Sequence, residues 1–334
     1  MKAIVLESPG DPTALKLKQM TKPSPQPGWV LIKVKAFGLN RSEMFTRQGY
    51  SQGVQLPRVL GIECVGVVEA APETAFEPGQ KVAAIMGGMG RAFDGSYAEY
   101  TCVPQTCVFP INSNLDWSVL GAIPEMFQTA YGSLVSGLNV QAGQTLLVRG
   151  GSSSVGMAAT HLAKQMGLTV VATTRNSSKI KALQANGADH VVIDTGEIVT
   201  SIRQSYSKGF DCVLELVGTS TLMDSLQCVV PGGIVCMSGI LGNAWTLSNF
   251  APMDDIPHTV KLTVYSGGCE DLSGEYLQRF IDGVEAGQNR VNIDRVFKFD
   301  EIVQAHQYME SNQATGKLVV LVDEQDNSNK SSNI

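Results

Sequence analysis

The stretch that decides the fold is TLLVRGGSSSVGMAATHLAKQMGLTVVATTR, residues 145–175. An apolar run turns at Gly150-Gly151, passes three serines, reaches Gly156 at the head of a helix-like segment and gives way to a second apolar run ending near Thr174. Strand, glycine turn, helix, strand is the unit that cradles a dinucleotide. Its first glycine makes the tight turn, the second lets backbone approach the pyrophosphate and the third lets helix pack on strand. Gly151 and Gly156 fill the first and third places, and Ser153 fills the second. The serine takes more room but adds a hydroxyl donor, and a helix opening near Ser154 offers its first N–H groups to an anion. Ser152, Ser153, Ser154 and Val155 are therefore candidate phosphate contacts. A serine-capped helix with no ligand is the plain alternative.

The surrounding charge points to a phosphate-rich ligand. No Asp or Glu occurs between Glu125 and Asp189, whereas Arg149, Lys164, Arg175, Lys179 and Lys181 all fall there. Such a bias suits several phosphates; for Lys164 and Lys181 a solvated face is the simpler reading. An NAD site wants an acid about 20 residues beyond the glycines to bind the ribose 2'-hydroxyl. Thr174 stands there instead, and Arg175, Ser177 and Lys179 are placed to grip a 2'-phosphate. NADPH is expected rather than NADH. Asp194, at the end of the next strand-like run, would oppose that phosphate if it pointed inward.

Working outward, 334 residues with 43% hydrophobic and 17% charged suit a globular chain of about two domains. Residues 1–120 hold short strand-like runs between Gly/Pro turns: WVLIKVKAFG, CVGVVEAA, KVAAIMGG and GSYAEYTCV. Residues 121–265 alternate strands (TLLVRG, LTVVAT, HVVI, CVLELV, GIVCMSG, LTVY) with helical stretches, the pattern of right-handed βαβ units in a doubly wound parallel sheet. Two helices follow, one with Leu277, Phe280, Ile281 and Val284 at helical spacing and one from near Asp300, then the strand KLVVLV. A lone strand needs a sheet, so residues 266–323 are expected to complete the first domain. The polar tail, 324–334, is expected to be disordered. The net charge of −6 gives no general footprint for nucleic acid, and no run is long enough to span a membrane. Without a secretory pattern, and with seven cysteines mostly in apolar text, reduced thiols in the cytoplasm are the expectation.

GLNRSEMFTRQGY (38–50), LGIECVGVVEA (60–70), EPGQKVAAI (77–85), GSYAEY (95–100), IPEMFQTAYGSL (123–134), the Gly/Ser turn and ATGKLVVLV (314–322), in that order, carry a resemblance over nearly all of residues 1–323. The chain resembles the zinc-independent, zeta-crystallin-like quinone oxidoreductases among the medium-chain dehydrogenases/reductases. That resemblance implies an α/β architecture: a GroES-like β-barrel catalytic domain and a Rossmann cofactor domain with the active cleft between them. It also implies a homodimer through the edge of the Rossmann sheet. Where zinc-holding members of that family carry ligands, this chain has Asn40, Ile62 and Glu125. A catalytic zinc needs about three ligands from Cys, His and carboxylate, so none is expected. Cys102 and Cys107, and the isolated His161, His190, His258 and His306, have no ligand-type spacing.

Without a metal to stabilise an alkoxide, reduction of an electrophilic acceptor, a quinone or an α,β-unsaturated carbonyl, is the easier chemistry. The resemblance places Asn40 in the cleft, its amide donating to a carbonyl or to the nicotinamide carboxamide. Phe45 stands where several members have Tyr, leaving Tyr50 as the candidate hydroxyl donor, and Arg47 as a charge for an anionic acceptor. Thr129, Leu216, Val217, Gly218, Gly239, Ile240, Leu241 and Lys317 complete the implied cofactor contacts. The LVG and GIL turns also fall at strand C-termini, where doubly wound sheets bind ligands. The alternatives are an acyl-thioester enoyl reductase and a non-catalytic NADPH-holding scaffold of crystallin, regulatory or RNA-binding type.

Overall fold

The computed structural model describes residues 1–322. The expectation for the 324–334 tail lies outside the described residues. The chain divides into two units: Met1–Glu125 with Arg295–Gln313 and the segment from Leu318, and Met126–Asp294 with Ala314–Lys317.

The first unit is antiparallel. Its strands are β1 (Lys2–Leu6), β2 (Leu15–Gln19), β3 (Trp29–Gly38), β4 (Arg58–Val59), β5 (Glu63–Ala70), β6 (Lys81–Ile85), β7 (Tyr100–Pro104) and β8 (Val108–Pro110). A small sheet runs β2-β1-β4, and the long β3 pairs with both β5 and β7 in the larger one. Two register shifts between β3 and β5 bend that pair, as bulges do. Gly66 lets the strands close up, since a Cβ there would lie 2.2 Å from the Lys33 carbonyl oxygen. Of GSYAEYTCV only Tyr100 onward is strand. Gly95 is pressed so closely on Gly61 that a Cβ would lie 2.1 Å from its carbonyl oxygen, and ladder pairing gives way to a loop.

The second unit carries β9 (Thr145–Arg149), β10 (Thr169–Thr174), β11 (His190–Ile193), β12 (Phe210–Glu215), β13 (Val229–Met237) and β14 (Lys261–Val264), parallel and in the order β11-β10-β9-β12-β13-β14. The order reverses beside β9, which makes the C-terminal end of β9 the ligand-binding crevice of such a sheet. Helices cover both faces, which is why the central strands β9, β10 and β12 are buried almost end to end rather than alternating. Leu147, Val171, Val213 and Val235 pack with Ile202, Leu222 and Leu226 on one face, and Ala172 packs with Met157 and Leu183 on the other. Each such large aliphatic side chain contributes about 1.5–3 kcal/mol of burial.

The C-terminal part departs from expectation. Residues 266–294 join the second unit rather than completing the first. The helix Gly274–Glu285 buries Leu277, Phe280 and Ile281, with the Phe280 ring 4.8 Å from that of Phe127 and Tyr276 5.1 Å from Tyr131. This aromatic face binds it to the Rossmann-type unit. β15 (Ile293–Lys298) and β16 (Lys317–Leu321) extend the larger antiparallel sheet, whose order is β15-β16-β3-β5-β6-β8. The first unit also keeps residues 121–125, beyond the expected boundary at 120. No helix of the described residues is long and apolar enough to cross a membrane.

Candidate functional site

β9 ends at Arg149 and the chain turns through Gly150, at φ +84°, into the helix Ser154–Gln165. Side chains are excluded here by close contact. A Cβ on Gly156 would lie 2.5 Å from the Gly150 carbonyl oxygen, and one on Gly151 would lie 2.8 Å from the Ala172 Cβ. Ser153 is the N-cap: its hydroxyl accepts from the Gly156 amide (3.1 Å) and donates to the Gly150 carbonyl (2.8 Å). That corrects the expectation of an extra donor toward an anion, because the hydroxyl hydrogen closes the turn. The Ser154 and Val155 amides, in contrast, donate to no carbonyl among the described residues. Two donors, a positive helix end and a glycine floor make a turn chemically suited to an anion.

The neighbouring turns are built to the same end of the sheet. Leu216, Val217 and Gly218 follow β12, with Gly218 at φ +102°. Their backbone is fixed by Glu215, which is buried and accepts from the Val217 (2.7 Å) and Gly218 (2.9 Å) amides. Gly239 must be glycine for the turn after β13 to approach: a Cβ would lie 2.5 Å from the Leu216 carbonyl oxygen. Leu241 donates its amide to that same oxygen at 3.0 Å, and Ile240 lies between them. The second unit also holds Thr129, half-buried, and Lys317, fully buried with its amide on the Asn292 carbonyl.

The charge reading needs correction. Arg149 is 0% exposed, and its guanidinium is consumed by the fold. Nε and Nη2 donate to Asp194 at 2.9 and 3.0 Å, and Nη1 to Asp224 at 2.7 Å and Ser225 at 3.0 Å. Asp194 accordingly does not oppose a cofactor phosphate; it is a buried partner of Arg149 and of the Thr173 hydroxyl. Burial works against the Arg149 charge, but these carboxylates outweigh it and raise its pKa. Lys164 pairs with Asp189 at 2.8 Å, as a solvated face would. Lys179, expected at a 2'-phosphate, is buried and donates to the Ala314 carbonyl at 2.6 Å. Arg175 and Ser177 are exposed beside buried, neutral Thr174, and Arg175 makes no hydrogen bond or ion pair among the described residues.

The first unit holds the other three candidates. Asn40 is buried, and its Nδ2 donates to Glu63 Oε1 at 2.9 Å and to Glu43 Oε1 at 3.3 Å. Carboxylates only accept, so they fix which way the amide faces and take its hydrogens; donation to a substrate carbonyl is not available in this arrangement. Arg47 is also corrected. It is fully buried, ion-paired with Glu310, donating to the Gly10 carbonyl and to His306 Nδ1 at 3.4 Å, so it is not presented to an anionic acceptor. Tyr50 follows the helix Arg41–Arg47 and is 60% exposed.

Glu43 and Glu63 escaped the sequence reading. Their carboxylates accept the backbone amides of Asn40 (3.0 Å), Ile62 (3.1 Å) and Glu125 (2.9 Å), the three positions that the resemblance matched to zinc ligands of other members. Ile62 offers no ligand atom. Among the described residues no group of three or more His, Cys, Asp or Glu is placed to hold a metal ion.

A glycine cradle at the switch point of a parallel sheet, with a separate antiparallel unit, defines a dehydrogenase-type oxidoreductase. Comparison with known proteins agrees: the alcohol dehydrogenase GroES-like domain model matches residues 26–113 and the zinc-binding dehydrogenase model residues 186–320. The quinone oxidoreductase of Pongo abelii is 30% identical over 333 residues, covering 96% of this chain and 98% of its own. Among solved structures, mycobacterial Rv1454c complexed with NADPH superposes with a TM-score of 0.86 at 25% identity, covering 96% of this chain and all of that one. The quinone oxidoreductase from Coxiella burnetii gives 0.83 at 26% identity, with 97% and 99% covered. The chain belongs to the medium-chain dehydrogenase/reductase family.

Proposed function

We propose that this protein is an NADPH-dependent oxidoreductase that delivers hydride to a quinone or an α,β-unsaturated carbonyl without zinc. The observation that carries the reading is the end of β10, where neutral Thr174 replaces the acid of an NAD site and the exposed guanidinium of Arg175 stands next to it. The relative described in complex with NADPH and the relatives named quinone oxidoreductases support it.

The bound cofactor would supply the hydride. The chain's own groups would orient it. The Ser154 and Val155 amides hold the pyrophosphate, Arg175 with Ser177 holds the 2'-phosphate, and Thr129, Lys317 and the turns Leu216–Gly218 and Gly239–Leu241 fix the nicotinamide half. Asn40, its amide orientation set by two carboxylates, presents a fixed polar edge. Tyr50 is the hydroxyl proposed to donate to the oxygen that gains charge on the acceptor. The isoleucine at position 62 and the committed carboxylates of Glu43 and Glu63 favour an acceptor that needs no Lewis acid. All seven cysteines are free, which suits a reducing, cytoplasmic setting. The edge strand β14, with Val264 exposed, is the proposed homodimer contact.

The test is oxidation of NADPH, followed by its absorbance, with an ortho-quinone, a para-quinone, an enone and a saturated aldehyde, using NADH and a chelator as controls. The expected result is chelator-resistant turnover of quinone or enone that prefers NADPH. Tight NADPH binding with no turnover of any acceptor would replace the reading with a non-catalytic scaffold.

A further inference from the structure

Within the second unit, Tyr265 follows β14 at the C-terminal edge of the parallel sheet, and its amide donates to the Met237 carbonyl at the end of β13 (3.1 Å). Its phenol is lodged between two glycines. A Cβ on Gly132 would lie 2.0 Å from Tyr265 Oη, and one on Gly267 would lie 2.3 Å from it. Gln128, on the helix Pro124–Gly132 and buried, closes the socket: its Nε2 donates to Tyr265 Oη at 2.8 Å and to the Gly268 carbonyl at 3.2 Å. Burial pushes the Tyr265 hydroxyl up to about 12, so at neutral pH it is an uncharged phenol whose oxygen accepts the Gln128 amide.

These partners fix which way the Gln128 amide faces. A carbonyl oxygen only accepts, so a flipped amide would set Oε1 against the Gly268 oxygen. In the orientation observed, Oε1 accepts from the Thr129 hydroxyl at 3.3 Å. One side chain thereby ties Thr129 to the backbone that leaves β14. Ser133 ties the same helical segment to the turn after β13: its hydroxyl bonds to the Thr129 carbonyl at 2.6 Å and to the Ser238 hydroxyl, one residue before Gly239, at 2.8 Å. Thr129 is held from both sides, at the carboxyl edge of the strands where such sheets bind their ligand.

We infer that Gln128 is a positioning residue: by clasping Tyr265 and Gly268 it locks Thr129 and the backbone after β14 into one edge, and that edge sets the nicotinamide ring. The inference rests on the nicotinamide-cofactor reading above. Gln128 acts through Thr129 and that backbone, so its contribution is confined to the nicotinamide end. Loosening that end weakens a dinucleotide relative to the same molecule without its nicotinamide, whereas a general loosening of the unit weakens the two equally.

The experiment measures dissociation constants for NADPH and NADH, and for the same molecules lacking nicotinamide, 2'-phospho-ADP-ribose and ADP-ribose. Amide hydrogen exchange at 265–268 is followed alongside, on the full chain and on Gln128→Leu and Tyr265→Phe. Gln128→Leu is expected to weaken both dinucleotides roughly three- to tenfold, to leave both fragments unchanged and to speed exchange at 265–268. Tyr265→Phe keeps the ring in its socket and removes one bond, so it is expected to shift the same readings in the same direction by a smaller factor. Which dinucleotide the parent chain prefers does not alter the comparison. Equal losses for a dinucleotide and its fragment in Gln128→Leu, or dinucleotide affinities as in the parent chain, overturn the inference. If the parent chain binds no dinucleotide, the cofactor reading itself fails, and exchange at 265–268 decides the clasp: protection unchanged in Gln128→Leu refutes it.

Discussion

Replacing Arg149 with Met tests whether the cation at the mouth of the cradle serves the ligand or the fold. The guanidinium makes two bonds to Asp194 and one to Asp224, whose side chains are only 6% and 10% exposed. Methionine fills much of the volume but leaves two carboxylates buried without their cation, and breaking a buried pair from one side costs about 3–5 kcal/mol. Urea denaturation at neutral pH, followed by circular dichroism, should show a loss of that size. The folded variant, held under saturating stabilising conditions, should bind NADPH within about threefold of the parent, a difference under 1 kcal/mol.

The pH dependence gives a second reading of the same experiment. Burial pushes the Asp194 carboxyl up, but the Arg149 ion pair outweighs it and holds the group below its usual value. A lowered folded pKa contributes stability that is present above the unfolded value, about 3.9, and lost as pH falls through the folded value. Without Arg149 the upward push of burial, the largest influence, is opposed only by the bonds from the Gly196 amide and the Thr173 hydroxyl, and is expected to win. The sign then reverses, and the variant loses stability as pH rises through the raised folded value. The gap between parent and variant should therefore narrow on mild acidification. Stability within about 1 kcal/mol of the parent, combined with a tenfold or greater loss of NADPH affinity, would show that Arg149 is a phosphate ligand and refute the reasoning.

The remaining expectations concern the turn and the first unit. Gly156→Ala brings a methyl group against the backbone of Gly150 and Gly151, where neither neighbour has a flexible end to yield. It should cost about 1–3 kcal/mol, seen as a lower melting temperature, and should weaken NADPH and NADH together. His306 is fully buried between Tyr97 (Nε2 to Oη, 3.0 Å) and Arg47, and burial first, then the Arg47 charge, pushes its pKa down to about 3. Its stabilising contribution is therefore complete above the unfolded value of about 6.5 and is lost as pH falls toward the folded value, with a slope approaching 1.4 kcal/mol per pH unit. Denaturation curves between those limits should show that slope, and His306→Gln should flatten it.

What was legible in the sequence, and what was not, divides along physical lines. Period and punctuation are local, so the six strands of the parallel sheet, the glycine turn and the helix behind it could be read directly from residues 145–264. The assignment of the helix Gly274–Glu285 could not, because its apolar face is the same whichever unit it covers; only the packing of Phe280 on Phe127 decides. Charge was the weakest guide. The span from Glu125 to Asp189 contains no acid, yet Arg149 finds Asp194 and Asp224 beyond it, and Lys179 finds a carbonyl 135 residues away. A count of cations along the chain measures supply, whereas a ligand sees only what the fold leaves unpaired. A better signal lay in the acids set inside apolar text, Glu63 in GIECVGVV and Glu215 in CVLELV. A carboxylate in a buried strand is costly unless it is bonded. Each of these sits at a strand end, accepting the backbone amides that shape a turn. The cations that pointed to phosphate were mostly fold, and the acids that looked like strand text hold the candidate site in shape.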